Sequence, residues 1–216
     1  RTENGLSRAS ATLAASACAD AVTLTLDVTV TNLTGHKLPT GFPNRRMWLH
    51  TRIVDAAGST VFESGAVDAS GEIVGLDRDY EPHYQTINLP GQVQVYEAVM
   101  GDLENRPTQR LLHAARYLKD NRVLPAGMSS DVADVEIRPV GVATDSNFGN
   151  GQDRVSYVVG KAGFRAPFTV SVELLYQTTP PRPVAALDTY SSAEIDRFMV
   201  LYRAASNAPR RIAGLE

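Results

Sequence analysis

The chain has 216 residues, 43% of them hydrophobic, with a formal net charge of -3. That suffices for a sizeable core in one large β domain or two small ones, and gives no general attraction to nucleic acid or an anionic membrane. No apolar run approaches the roughly 18 residues of a membrane-spanning helix, so no transmembrane segment is predicted. Cys18 is the sole cysteine, which excludes an internal disulfide, a cysteine-rich zinc site and a CxxCH haem attachment. The first residue is Arg1 rather than Met, which predicts a processed chain or an excised piece.

Residues 1–20 are small and polar and are expected as an extended lead-in outside the core, with Cys18 a buried spectator thiol. Val22, Leu24, Leu26, Val28 and Val30 then alternate with Thr23, Thr25, Asp27 and Thr29. This period of two, rich in β-branched residues, predicts a half-buried antiparallel strand. Residues 31–46, TNLTGHKLPTGFPNRR, form a long loop before the next strand. Long loops in compact domains are usually functional or disordered, and Pro39, Pro43, Gly35 and Gly41 favour a shaped series of turns.

Met47, Leu49, Thr51 and Ile53 alternate with Trp48, His50, Arg52 and Val54, and a turn at Asp55-Ala56-Ala57-Gly58 makes residues 46–64 a hairpin. Residues 65–91 have little periodicity and are expected as an irregular connection. Val93, Val95, Glu97 and Val99 line one face of a further strand, where the Glu97 carboxylate requires a partner or a raised pKa. Residues 108–119, TQRLLHAARYLK, predict a helix capped by Thr108. Strands follow around Val135 and Ile137, over 155–159 and over 168–176, and the prolines at 180, 181 and 183 break the sheet. A C-terminal helix over 192–205 is predicted from the capping-box spacing of Ser191 and Glu194 and the stripe Ile195, Phe198, Met199, Tyr202. The expected fold is an antiparallel β-sandwich, Ig-like, with a helix near 108–119 and a C-terminal helix. The expected organisation is a lead-in over 1–20, a sandwich over 21–183, and a helix with tail over 184–216 packed on it.

Three constellations carry candidate chemistry. His36, between Gly35 and Lys37, is expected to be partly exposed, where a neutral imidazole binds a metal or haem iron or else bonds its own loop. Arg45 and Arg46 present guanidinium forks suited to carboxylates, haem propionates included; the competing role is an internal ion pair with Glu97. In residues 145–153, DSNFGNGQD, oxygen-bearing side chains alternate with glycines, so Asp145, Asn147 and Asp153 are expected Ca²⁺ ligands, the alternative being ordinary turns. His50, His83 and His113 show no i, i+4 metal spacing, and no nucleophile motif or phosphate-cradling glycine loop is present. An active site within this chain is the least expected outcome.

The segments NLTGHKLPTGFPNRRMWLH, VFESGA, QVQVYEAVMGD, LLHAARYLKDNRVLPAGM and VSVELLYQT together resemble the C-terminal, haem-free region of bacterial multihaem cytochrome c family proteins. The resemblance covers roughly residues 22–206 and is most specific in GHKxPTGxPxRR and KDNRxLPxG. It implies a periplasmic or extracellular, non-catalytic β-rich module that packs against or docks haem-bearing segments for electron transfer. Lacking CxxCH, this chain holds no covalent haem, so haem c would belong to a missing N-terminal segment or a partner subunit. The resemblance also implies that His36 meets a haem iron, with Lys37, Arg45 and Arg46 near the propionates. A free-standing extracytoplasmic, Ca²⁺-dependent binding or adhesion module is the alternative.

Overall fold

The computed structural model describes residues 9–76, 79–131 and 134–216. Its strands, in chain order, are β1 (Ala11–Ala19), β2 (Thr23–Asn32), β3 (Arg46–Val54), β4 (Thr60–Ser64), β5 (Thr86–Ile87), β6 (Val95–Tyr96), β7 (Ala98–Gly101), β8 (Arg116–Asp120), β9 (Gln152–Gly160), β10 (Thr169–Gln177) and β11 (Arg210–Leu215). Two helices, α1 (Pro181–Leu187) and α2 (Ala193–Ala204), lie between β10 and β11.

One sheet has the order β1-β2-β9-β5, and a second the order β11-β10-β3-β4 with β6 also paired to β3. Alternation sends Leu24, Leu26, Val28 and Val30 of β2, with Val155, Tyr157 and Val159 of β9, towards the second sheet. Met47, Leu49 and Ile53 of β3, Val172 and Leu174 of β10 and Ile212 of β11 meet them in a common core. Each such side chain contributes about 1.5–3 kcal/mol by leaving water. The expected antiparallel sandwich is therefore observed, with one two-residue exception: β5 runs parallel to β9. Trp48 and Leu175 point to the other face of the second sheet and pack with Ile73, Val93 and Val95, so the long connection after β4 buries that face as well.

Several expectations are corrected. Residues 11–19 are a paired edge strand, with Ala11 opposite Asn32 and Ala19 opposite Leu24, and Cys18 is exposed on it. Small residues carry no apolar signal there; the backbone groups along the edge of β2 supply the pairing instead. The first eight residues of the expected lead-in lie outside the described residues. The helix near 108–119 is reduced to a 3₁₀ turn at Leu111–His113, and residues from Arg116 onward form β8 against β7. Leu111 and Leu112 of the expected apolar stripe are 43% and 100% exposed, whereas the strand places Lys119 and Asp120 in buried ion pairs. Val135 and Ile137 are exposed turn residues rather than a strand. The strand expected over 93–99 splits at Glu97 into β6, which pairs with β3, and β7, which pairs with β8.

The C-terminal helix forms as α2, one residue off its predicted cap: the Ser192 hydroxyl, not that of Ser191, accepts from the Ile195 N–H at 3.3 Å. The prolines that end β10 also start α1, where their fixed φ is suited to the first turn. Beyond α2 the chain returns as β11, which pairs with β10 and places Ile212 in the core.

Candidate functional site

The loop between β2 and β3 is stitched down along one side. The Asn32 amide donates to the carbonyls of His36 at 2.7 Å, Val123 at 3.0 Å and Leu124 at 3.1 Å, while Leu38 and Val123 exchange backbone bonds of 2.9 and 2.8 Å. Lys37 reaches Asp120 at 2.6 Å, and the same carboxylate accepts from Arg122 Nε at 2.7 Å. Asp120 is thus buried between two cations, a compensation that a lone buried carboxylate lacks.

His36 is exposed on this rigid base. Its Nδ1 lies 3.0 Å from the Lys37 carbonyl oxygen and 3.2 Å from Thr34 Oγ1. A carbonyl only accepts, so Nδ1 carries the hydrogen and the lone pair is on Nε2. This is the orientation in which a protein presents imidazole to a metal, with the second nitrogen fixed by an acceptor.

The arginines divide. Arg45 Nη1 donates to the Thr40 carbonyl at 3.0 Å across the turn at Gly41, whose φ of +85° favours glycine; a Cβ there would fall 2.6 Å from Arg45 Nη1 and displace the end of that side chain. Arg46 is buried, donating from Nε to Gln177 at 2.9 Å, pairing with Glu72 at 3.1 Å and lying 5.5 Å over the Trp48 ring. Neither arginine pairs with Glu97. Its partner is Lys119 at 3.1 Å, fully buried and also donating to the Val95 carbonyl at 2.8 Å. Burial pulls the Lys119 ammonium below its ordinary pKa of 10.5, and the Glu97 charge opposes that shift.

The far end of the loop borders an open groove of about 770 Å³. Phe42, Pro107, Arg110, Val184, Tyr190 and Phe198 are among the residues that line it. Phe42 is 51% and Tyr190 48% exposed, and the Arg110 guanidinium sits 5.2 Å over the Tyr190 ring. The exposed Leu111 and Leu112 follow directly in the 3₁₀ turn.

The loop 145–153 belongs to a separate, buried polar cluster. Asp145 and Asp153 do come together, but the third member is His83, whose Nε2 lies 3.0 Å from Asp145 and 3.8 Å from Asp153. The Asn147 side-chain oxygen instead accepts from the Arg154 N–H at 2.7 Å. His83 Nδ1 faces the amide nitrogens of Gln94 at 2.8 Å and Asn121 at 3.2 Å. Backbone groups fix both amides, since Gln94 Oε1 accepts from Tyr84 N–H at 2.8 Å and Asn121 Oδ1 from Glu97 N–H at 3.0 Å. Nδ1 therefore accepts, and the ring hydrogen sits on Nε2 facing Asp145. The ligand atoms of His83, Asp145 and Asp153 lie within 4.8 Å of one another, a spacing a metal can bridge. The hydrogen on Nε2, however, occupies the lone pair a metal would take from His83, so this imidazole fits a hydrogen-bonded cluster. Asp153 Oδ2 accepts from Tyr96 at 2.7 Å and Gln94 at 3.1 Å. Burial pushes the Asp153 carboxyl up, and burial followed by the Asp153 charge pushes the Tyr96 hydroxyl well above 10.0.

Sequence reasoning missed His83, Gln94, Tyr96 and Asn121, which converge from three separate segments. Gln94 and Tyr96, alternating with valines in VQVYEAV, were the one local sign of a polar face. Arg110, Tyr190 and Phe198 were missed because their grouping depends on the α1–α2 excursion.

No family model matches the chain, and no curated protein does. Among solved structures, a penta-heme cytochrome c552 from Thermochromatium tepidum has a similar fold, with a TM-score of 0.59, 19% sequence identity and 99% of this chain covered. The chain spans 40% of the length of that protein. Among the described residues no helix is long and apolar enough to cross a membrane.

Proposed function

We propose that this chain is a non-catalytic β-sandwich module of a multihaem c-type cytochrome system. It packs against, or docks, haem-bearing segments through the face that carries the β2–β3 loop. The observation that carries this reading is His36, an exposed residue held by Nδ1 on its own loop, which leaves the lone pair on Nε2. Haem iron takes such an imidazole nitrogen. Support comes from the GHKxPTGxPxRR and KDNRxLPxG segments, which fold together: Lys37 of the first pairs with Asp120 of the second. The shared fold with a protein named for five haems points the same way. The haems belong to another segment or subunit, and the setting is periplasmic or extracellular.

Replacing His36 with Ala in the complete haem-containing assembly tests the reading. The expected result is a shifted spectrum or potential of one haem if Nε2 is a ligand, and weaker association alone if the loop only docks. Unchanged spectra, potentials and association would overturn it.

A further inference from the structure

The groove beside Phe42 has a composition unlike a random stretch of surface. Its walls include Phe42, Pro107, Val184, Leu187, Tyr190 and Phe198, and Arg110 is the one ionisable cation among its lining residues; none of these is acidic. The other polar groups are neutral threonines, Asn44 and Gln109. Among the described residues Arg110 has no carboxylate partner, and its guanidinium rests 5.2 Å over the Tyr190 ring. A stacked guanidinium keeps its N–H edge free to take a carboxylate in a forked pair. At about 770 Å³ the groove is of the size that encloses a ligand larger than a single side chain. Phe42 and Tyr190, 51% and 48% exposed, present aromatic surface along it.

We infer that this groove seats the edge of a haem carried by the docking segment, with the ring against Phe42, Tyr190 and Phe198 and one propionate on Arg110. This rests on the docking function proposed above and adds the occupant of a second contact, distinct from His36. A planar apolar macrocycle with peripheral carboxylates matches both features: aromatic walls for the ring, and a lone cation for the anion.

Metal-free protoporphyrin IX is the suitable probe, because without iron it has no use for His36. Its fluorescence, titrated with the isolated chain, should show saturable 1:1 binding. Arg110→Gln should weaken that binding about tenfold, the worth of one charge-assisted contact. The dimethyl ester of the porphyrin should bind parent and Arg110→Gln alike, and His36→Ala should bind like the parent. Arg110 is exposed, so its replacement leaves the core intact. Equal affinity of parent and Arg110→Gln for the free acid would overturn the inference. So would loss of binding only on self-association of the chain, which makes a second copy the occupant. A negative porphyrin result together with a haem shift in the His36→Ala assembly would remove this inference and leave the docking function standing.

Discussion

His36 and His83 present the same ring in opposite tautomers, and the group facing Nδ1 decides which. At His36 it is a carbonyl, so Nε2 is a free acceptor; at His83 it is a pair of amide nitrogens, so Nε2 is a donor committed to Asp145. His83→Phe should therefore leave two buried donors and one acceptor unpaired and cost about 3 kcal/mol in urea unfolding with an unchanged m-value. Thermal unfolding with and without EDTA should coincide if the cluster is held by hydrogen bonds alone; a fall with EDTA would show that the carboxylates hold a cation. Lys119→Met strips Glu97 of its partner and is expected to cost about 3 kcal/mol by the same assay. Of these residues His36, Glu97 and Asp145 were legible in the sequence, the first in a loop that declares itself locally, the second as a carboxylate on an apolar face, the third in an oxygen-rich loop. The surroundings of His83 include Asp145, 62 positions away, and the still more distant Asp153.

At the scale of elements, the strands with strict alternation were legible because one face of each is buried. The failures share a cause. The 3.6-residue pattern over 108–119 was real, yet residues from Arg116 onward pair with β7 instead and bury Lys119 and Asp120 among ion-pair partners. β1 and β11 carry weak patterns and exist because neighbouring strands leave backbone groups to be paired. Local turns set the acid behaviour. Asp68 is held below its ordinary 3.8 by the Ser70 hydroxyl and then the Glu72 N–H, and Asp102 by the Arg106 N–H first. The folded state thus favours the ionised forms, so their contribution is present above 3.8 and lost as pH falls through the lower folded-state values. Asp68→Asn and Asp102→Asn should each flatten the acid limb of stability against pH and lower the plateau above it, neutral pH included, where the parent carboxylate makes its contribution. At α2, Ser192→Ala removes the cap at the Ile195 N–H and should cost about 1 kcal/mol.

At the scale of the molecule, a two-sheet sandwich holds one long loop, the β7–β8 connection and a two-helix excursion on its surface, and the first two carry the side chains that face solvent. Lys37 and Arg46 serve the fold itself, as ion-pair partners of Asp120 and Glu72. His36, Phe42, Arg110 and Leu112 face solvent. Phe42→Asp or Leu112→Asp should leave thermal stability unchanged within about 0.5 kcal/mol while weakening association with the haem-bearing segment. The central claim is that this module is bound to haem-bearing polypeptide through that face. The most direct measurement is mild purification from the native source with absorbance followed across the elution profile. The account predicts that c-type haem absorbance co-elutes with the chain and that His36→Ala shifts one haem band or releases the chain. A chain that elutes free of haem, with the His36→Ala protein indistinguishable from it, would contradict the account.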